Sequence, residues 1–157
     1  MLYRLKNAAE SIAAVLLLAA VALNFLNVVG RYAFGKPIVT TEEILQYCDV
    51  WIVMLAAAAV TYHGVHLRMD ILLPRAHPRL YRALEIAIAI LGIGITAFVC
   101  VQGWHILEST YQFGQRSVAA SIPLVFVYVA IPLGFACMTV FLIRRLVRLL
   151  RGMPIEE

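Results

Sequence analysis

Residues 12–29 read IAAVLLLAAVALNFLNVV, an apolar run interrupted only by Asn24 and Asn27. A helix needs about 20 apolar residues to cross a hydrocarbon core of about 30 Å, so this run is long enough to span a bilayer. Arg4 and Lys6 precede it, as basic residues do in a signal peptide, but its length favours an uncleaved membrane anchor. The first element of the fold is therefore predicted to be a transmembrane helix.

Three further apolar runs follow the first one. The second covers about residues 44–62, the third about 84–106 and the fourth about 122–143. None of them shows the strict alternation of apolar and polar residues that barrel strands require. The sequence predicts an all-α membrane protein with four transmembrane helices, in which residues 1–157 form a single integral membrane domain.

The composition supports the same class of protein. Apolar side chains make up 63% of the 157 residues and charged ones 14%, and the mean hydropathy is +0.89. Soluble domains contain about 25% charged residues, and a chain with so few would expose large apolar patches to water. A soluble enzyme, a disordered tail and a secreted disulfide scaffold are all excluded. The three cysteines lie within apolar runs and form no C-x-x-C pair, so they predict neither a disulfide framework nor a metal site.

The basic residues fall mainly on one side of the predicted membrane. Ten of the 13 lie in the N-terminal segment, in the loop between the second and third helices, and in the C-terminal tail. Only Arg31, Lys36 and Arg116 lie in the other two loops. Because cytoplasmic loops carry the excess of lysine and arginine, both termini are predicted to be cytoplasmic, with residues 144–157 as a basic cytoplasmic tail. The net charge of +4 is therefore interpreted as a signal of topology and of contact with membrane lipids, and no nucleic-acid partner is predicted.

Acidic residues mark the second predicted helix. Glu42 and Glu43 stand at its start, and Thr40 and Glu43 have the spacing of a capping box, with Thr40 as the N-cap. Asp49 lies six residues past Glu43, about 9 Å deeper in the membrane at 1.5 Å per residue. Because a charge at that depth is costly in lipid, we expect Asp49 to face another helix, a polar cavity or a partner subunit. Ion coupling is the alternative, although the sequence puts no second buried acid beside it.

The histidines provide a test for a haem site, because two axial imidazoles must lie at the same membrane depth. His63 and His66 end the second predicted helix, whereas His105 ends the third on the opposite side of the membrane. This chain alone is therefore not expected to hold a haem, but a haem shared with another subunit stays open. No catalytic motif, metal site or cofactor is predicted.

Other residues predict how the helices pack. Ala130-x-x-x-Gly134 permits close approach of another helix, and Pro132 is predicted to kink the fourth helix. Trp51 belongs to a set of aromatic residues near the predicted outer boundary. Residues 32–35 (YAFG) and 111–114 (YQFG) follow the first and third helices, and this similarity predicts two related helical hairpins.

The order of motifs along the chain resembles a known family. The residues that carry the resemblance are Asn27, Arg31, Tyr32, Phe34, Gly35, Glu42, Glu43, Trp51, His66, Asp70, Leu73, Pro74, Gly114, Ser117, Ile122, Pro123, Tyr128 and the run at 131–134. In this order and spacing, residues 20–150 resemble the small membrane subunit of the TRAP transporters (tripartite ATP-independent periplasmic transporters, DctQ-like family). Ala56 is a departure, because the family favours glycine there.

The resemblance implies a chain of the bacterial inner membrane that has no catalytic activity. It would scaffold a large multi-helix permease subunit, which holds the solute and sodium sites. It would also help a soluble periplasmic binding protein to dock, for sodium-driven uptake of an organic acid such as a carboxylate.

The resemblance also implies roles for particular residues. The partner-contact candidates are Arg31, Glu42, Glu43 and Arg116 near the outer face, together with Asp49 and Trp51 in the second helix. The segment with His66, Arg68 and Asp70 is expected to form a structural turn on the cytoplasmic side.

Two other classes of protein are kept as alternatives. A small four-helix exporter that works as a dimer would place an essential acid well inside the first helix, where this chain has only Glu10 at the edge. A membrane anchor for a redox enzyme is disfavoured by the depths of the histidines.

Overall fold

The structure, a computed structural model, describes residues 2–35, 39–63 and 78–151. Its helices are α1 (Leu2–Phe34), α2 (Val39–His63), α3 (Pro78–Gln112), α4 (Val125–Tyr128) and α5 (Ala130–Leu150). Four stretches are long and apolar enough to cross a membrane: Lys6–Phe34, Thr40–Tyr62, Arg82–Gln112 and Val125–Leu150. The prediction of four transmembrane helices is confirmed, while the orientation of the termini stays a prediction.

The helices extend beyond most of the predicted apolar runs. α1 and α3 are longer than residues 12–29 and 84–106, because hydropathy marks only the part in hydrocarbon whereas helical hydrogen bonding continues into polar flanks. The fourth span differs at its start. It begins at Val125, three residues later than predicted, because Pro123 pairs with Arg116 in a β-bridge and the Ser117 N–H donates to the Ile122 carbonyl at 2.9 Å.

The four spans pack as a row in the order α1, α2, α5, α3. α1 packs on α2, α2 packs on α5, and α5 packs on α3, while the short α4 bridges α3, α5 and α2. A row leaves two broad faces uncovered, and large apolar side chains such as Leu18, Phe25 and Phe98 are exposed on it. In a membrane these faces contact lipid or another subunit.

The interior of the row lies between α2 and α5. Ala58, Met138 and Phe141 form its buried apolar cluster. Gly134 faces Met54 so closely that a Cβ atom at position 134 would lie 2.9 Å from the Met54 Cβ. The expectation that small residues permit close helix contact is thus met by Gly134 at the α2–α5 interface.

Pro132 lies inside the last span, near its start. The helix continues through Val129, which keeps helical dihedral angles (φ −63°, ψ −25°) and donates its N–H to the Val125 carbonyl at 3.0 Å. Pro132 has no N–H to donate to the carbonyl of Tyr128, four residues earlier, so one helical hydrogen bond is lost there. The kink predicted at Pro132 stays a prediction.

The two YxFG motifs end their helices in the same way. Gly35 follows α1 with φ +63° and Gly114 follows α3 with φ +57°. Glycine is favoured in this left-handed conformation just past a helix end. The shared geometry is consistent with two related hairpins, α1–α2 and α3–α5, and the repeat itself stays a prediction.

Candidate functional site

The two ends of the row differ in their polar groups. We call the end with Arg31, the start of α2 and the loop at residues 113–124 the loop end. We call the opposite end, which includes Arg82, Glu85 and residues 144–151, the arginine end. The distribution of basic residues predicts that the loop end is outside and the arginine end is cytoplasmic.

Glu43 joins the start of α2 to the 113–124 loop. Its Oε2 accepts a hydrogen bond from Ser117 Oγ at 2.6 Å and another from the Ala120 N–H at 2.9 Å, while its Oε1 accepts one from the Ala119 N–H at 3.0 Å. A carboxylate is an acceptor only, and here all three donors belong to one short turn of the 113–124 loop. We call this arrangement the Glu43 latch.

The capping-box interpretation of Thr40 and Glu43 is wrong. α2 begins at Val39, so Thr40 already lies inside the helix rather than at the N-cap. The Glu43 carboxylate is directed to the loop, because the α3–α4 connection brings two backbone N–H groups and a hydroxyl within reach. Local spacing alone could not distinguish these two uses of the same carboxylate.

The latch holds an exposed apolar tip in place. Val118, inside the latched turn, is 97% exposed, and Ala119 beside it is exposed as well. The turn is closed by the hydrogen bonds of the Ser117 and Leu124 N–H groups to the carbonyls of Ile122 and Gln115. Val118 is therefore an exposed apolar side chain on a turn that these hydrogen bonds hold.

Arg31 and Glu42 form a second link at the loop end. Arg31 Nη2 donates to Glu42 Oε1 at 2.7 Å and joins the end of α1 to the start of α2. Both side chains are largely exposed, and exposed ion pairs contribute only about 0–1 kcal/mol. Arg116, the third basic residue on this side, is exposed in the loop.

Asp49 lies on the outward face of α2. Four exposed residues, Glu42, Gln46, Asp49 and Val53, are spaced four, three and four apart and therefore share one face. We call this face the α2 seam. Within the described part of the chain, Asp49 has neither a hydrogen bond nor an ion pair. Of the three surroundings expected for it, a neighbouring helix of this chain is not found among the described residues, because the α2 seam is an exposed face of the row.

Trp51 makes a contact within the chain. Its Nε1 donates to the carbonyl oxygen of Phe126 at 3.1 Å, which joins α2 to α4. The indole is half-buried, so part of its ring is also open to the surroundings.

The arginine end contains charged contacts that the sequence did not predict. Arg145 Nη2 donates to Glu85 Oε1 at 3.1 Å, and both side chains are nearly buried, with exposed fractions of 11% and 5%. Arg82 donates to the Leu149 carbonyl at 2.7 Å, near the end of α5. Glu85 and Arg145 stand 60 residues apart in the chain, so no spacing rule could have paired them.

An open polar groove of about 340 Å³ lies beside the loop end. Its lining residues are Gln102, His105, Ile106, Ser109, Thr110, Gln115 and Tyr128. The other residues that line the groove with His105 carry no acidic or basic side chain. In the described ranges, no three His, Cys, Asp or Glu side chains are grouped in a way that could hold a metal ion.

Some predicted residues cannot be placed. His66, Arg68 and Asp70 lie outside the described residues, so the structural turn stays a prediction.

Pro132 lies inside the bundle, and its carbonyl accepts a hydrogen bond from Cys100 Sγ at 3.4 Å, which joins α5 to α3.

Comparison with known proteins gives a family match over most of the chain. Residues 20–152 match the family model described as tripartite ATP-independent periplasmic transporters, DctQ component. The ectoine TRAP transporter small permease protein TeaB of Halomonas elongata is 30% identical over 112 residues, which are 69% of this chain and 56% of the relative. The chain thus spans little more than half the length of that relative.

Two more relatives carry names of the same kind. A Haemophilus influenzae chain, named as a TRAP transporter small permease protein, is 29% identical over 127 residues, which cover 80% of this chain and 75% of the relative. The isethionate TRAP transporter permease protein DctMQ of Oleidesulfovibrio alaskensis is 26% identical over 108 residues, which are 69% of this chain but only 17% of that much longer one.

Proposed function

This chain belongs to the DctQ component family of the tripartite ATP-independent periplasmic (TRAP) transporters, and from that membership we propose that it scaffolds a large permease subunit and helps a periplasmic binding protein to dock. It is a small permease subunit, a multi-pass protein of the bacterial inner membrane, and its relatives are transport proteins rather than enzymes. In the proposed assembly the large subunit holds the solute and sodium sites. The relatives are named for two different solutes, ectoine and isethionate. We therefore propose only the class of solute for this chain, an organic acid.

The observation that carries the scaffolding role is the exposed carboxylate of Asp49. It lies about 9 Å deeper than Glu43 along α2, at a depth where an ionisable side chain in lipid is costly. Gln46 and Glu42 continue the polar character of the α2 seam toward the loop end. We therefore propose that the α2 seam contacts a transmembrane helix of the large subunit, and that this helix carries hydrogen-bond donors. The DctMQ relative supports this partner, since only 17% of it aligns with this chain and the rest is available for a larger permease part.

The loop end supports the docking role. The Glu43 latch fixes the turn that exposes Val118, and the Arg31–Glu42 pair lies beside the start of α2. A fixed surface loses little conformational entropy when a soluble partner binds to it. The proposal needs the loop end to be periplasmic, with both termini and the basic tail at residues 144–157 in the cytoplasm.

Replacing Asp49 with leucine should reduce co-purification of the large subunit by about tenfold, because one interhelical polar contact in a membrane contributes about 1–2 kcal/mol. Asp49→Asn should retain most of the binding, since an amide still accepts hydrogen bonds. The matched control is Glu108→Leu, which removes another exposed carboxylate from α3. Sodium-driven solute uptake into liposomes that contain the large subunit and the binding protein should fall with Asp49→Leu toward the level found without this chain.

The comparison of these two variants also shows which face of the row binds the large subunit. If Glu108→Leu releases the large subunit and Asp49→Leu does not, the assignment of the α2 seam is wrong. Full uptake by the large subunit and binding protein without this chain would contradict the scaffolding role itself.

Replacing Glu43 with glutamine should loosen the 113–124 loop, because an amide offers one acceptor where the carboxylate uses two oxygens for three donors. Trypsin cleavage after Arg116 should then be faster on the order of tenfold, since proteolysis follows the population of the open form. Glu42→Gln is the matched control, and its cleavage rate should stay within about twofold of the wild type because the Arg31 pair is exposed. The measurement is the appearance, by mass spectrometry, of the fragment that ends at Arg116.

The same pair of variants tests docking. Glu43→Gln should weaken binding of the solute-loaded binding protein to the assembled permease more than Glu42→Gln does. Equal cleavage rates for the two variants would show that the latch does not hold the loop, and equal docking affinities would remove the latched turn from the docking surface.

A further inference from the structure

α1 has a buried line of residues and an exposed line beside it. The buried line faces α2 and repeats every seven residues, with Ala13, Ala20 and Asn27 as its members. Each of these is followed four positions later by an exposed residue, and the exposed residues are Leu17, Asn24 and Arg31. Four residues turn a helix by about 40° beyond one full turn, so the exposed line borders the contact with α2 and does not point away from it.

The Arg31–Glu42 pair places this exposed line and the α2 seam on the same side of the row. Arg31 belongs to the line on α1 and Glu42 to the α2 seam, and their side chains meet at 2.7 Å. Each is the member of its line nearest the loop end. We call the surface formed by the two lines the α1–α2 face.

Asn24 and Asp49 lie at the same depth on the α1–α2 face. Asn24 precedes Arg31 by seven residues, and Asp49 follows Glu42 by the same number. Because α1 and α2 run in opposite directions, both side chains lie about 10 Å from the Arg31–Glu42 pair toward the middle of the membrane. Among the described residues, Asn24 has no hydrogen bond, as is also the case for Asp49. The face therefore presents an amide and a carboxylate at a depth where unsatisfied polar groups are costly.

The surroundings of these two side chains indicate what covers them. Farther from the loop end the face is apolar, with Leu17, Val53 and Val60 exposed. An acyl chain would cover the apolar part but would offer no hydrogen bond to either polar group, whereas a transmembrane helix with one polar side chain suits both parts. A carboxylate only accepts hydrogen bonds and an amide N–H₂ donates them, so the polar side chain must be able to donate and to accept.

We propose that the α1–α2 face binds one transmembrane helix of the large subunit, with an amide or hydroxyl side chain of that helix between Asn24 and Asp49. This inference rests on the proposed scaffolding function and extends the contact from the α2 seam to α1. In the sequence Asn24 only interrupts an apolar run. The equal spacing from the Arg31–Glu42 pair is what brings it level with Asp49.

Replacing Asn24 with leucine should reduce co-purification of the large subunit by about fivefold, because one interhelical polar contact is lost. Leucine at an exposed position in hydrocarbon should leave the chain folded, and its unfolding free energy in detergent checks this. Gln102→Leu is the matched control, since Gln102 is another exposed amide within a span, on α3. That variant should retain the large subunit as the wild type does.

The double variant Asn24→Leu/Asp49→Leu tests whether the two side chains share one partner group. Independent contacts would multiply the separate losses of about fivefold and about tenfold to about fiftyfold. A shared partner group makes the losses non-additive, so the double variant should lose about tenfold, as Asp49→Leu does alone.

Photocrosslinking tests the position of the partner helix. Leu17 and Leu18 are both exposed, but Leu18 lies about 100° farther around α1 and faces away from α2. With p-benzoylphenylalanine in place of Leu17 or of Val53, the assembled permease should form crosslinks to the same segment of the large subunit. The same group in place of Leu18 should not crosslink to that segment.

The outcomes separate this inference from the function on which it rests. Crosslinks from position 53 without any from position 17, full retention of the large subunit by Asn24→Leu, or a loss of about fiftyfold in the double variant would each overturn the inference and leave the scaffolding function standing. If no position crosslinks to the large subunit and Asp49→Leu also retains it, both are wrong.

Discussion

Replacing Glu85 with leucine should destabilise the protein by about 3–5 kcal/mol, because Arg145 would keep a nearly buried charge without its carboxylate. The two side chains meet at 3.1 Å and are only 5% and 11% exposed, so solvent screens the pair little. The pair also joins α3 to α5, two helices whose chain positions are far apart. The measurement is the free energy of unfolding of the purified protein in detergent or in lipid discs.

The double variant Glu85→Leu/Arg145→Met should recover most of this loss. Removing both charges also removes the cost of burying them, and apolar replacements of a buried pair are often neutral or stabilising. Glu42→Gln is the matched control, because it breaks the Arg31–Glu42 pair, whose side chains are 47% and 62% exposed, and should cost no more than about 1 kcal/mol. A Glu85→Leu variant that unfolds like the wild type would show that the pair lies in a far more polar environment than its burial indicates.

Replacing Gly134 with alanine should also destabilise the protein, by about 1–3 kcal/mol, because it overpacks the α2–α5 interface. The new Cβ would lie 2.9 Å from the Met54 Cβ and 3.1 Å from its Sδ, and a Cβ cannot move aside without its backbone. Valine at this position should cost more than alanine. The loss can be measured as a change in unfolding free energy or as a lower melting temperature.

Gly94→Ala is the matched control for this change. Gly94 lies within α3, and a Cβ built there meets no other atom within 4 Å. Alanine is a better helix former than glycine by about 1 kcal/mol, so this variant should be neutral or more stable than the wild type. If both alanine variants behave alike, the close approach of α2 and α5 at Gly134 is not maintained in the membrane.

Hydropathy predicted the four spans well because insertion in lipid depends on the composition of about 20 consecutive residues, which is a local property. The predicted first and last residues of the spans were less accurate. The fourth span was expected to begin at about residue 122, but the β-bridge of Pro123 with Arg116 delays the helix to Val125. The helical hydrogen bond missing at Pro132 was predictable, because the absent N–H is a property of the residue itself.

The polar contacts, in contrast to the spans, could not be predicted from the local sequence. Glu43 has the sequence context of a helix cap, yet its carboxylate binds a turn more than 70 residues away. Trp51 was grouped with the aromatic belt, and its indole N–H binds the carbonyl of Phe126 on α4. Asp49 was expected to face a helix, a cavity or a partner, and only the packing of α2 in the row showed that it faces away from the other helices of this chain.

The amino-acid sequence was enough to predict a four-helix membrane protein and, through the order of its motifs, a resemblance to the small subunit of TRAP transporters. These properties depend on local composition and on residues in linear order. The packing of the helices in space was needed to show that they form the row α1, α2, α5, α3, that Glu43 binds the 113–124 loop, and that Glu85 pairs with Arg145. In a membrane every span is apolar on most sides, so hydrophobicity does not specify which faces meet. That choice depends on close packing and on a few polar contacts between residues that are distant in the chain.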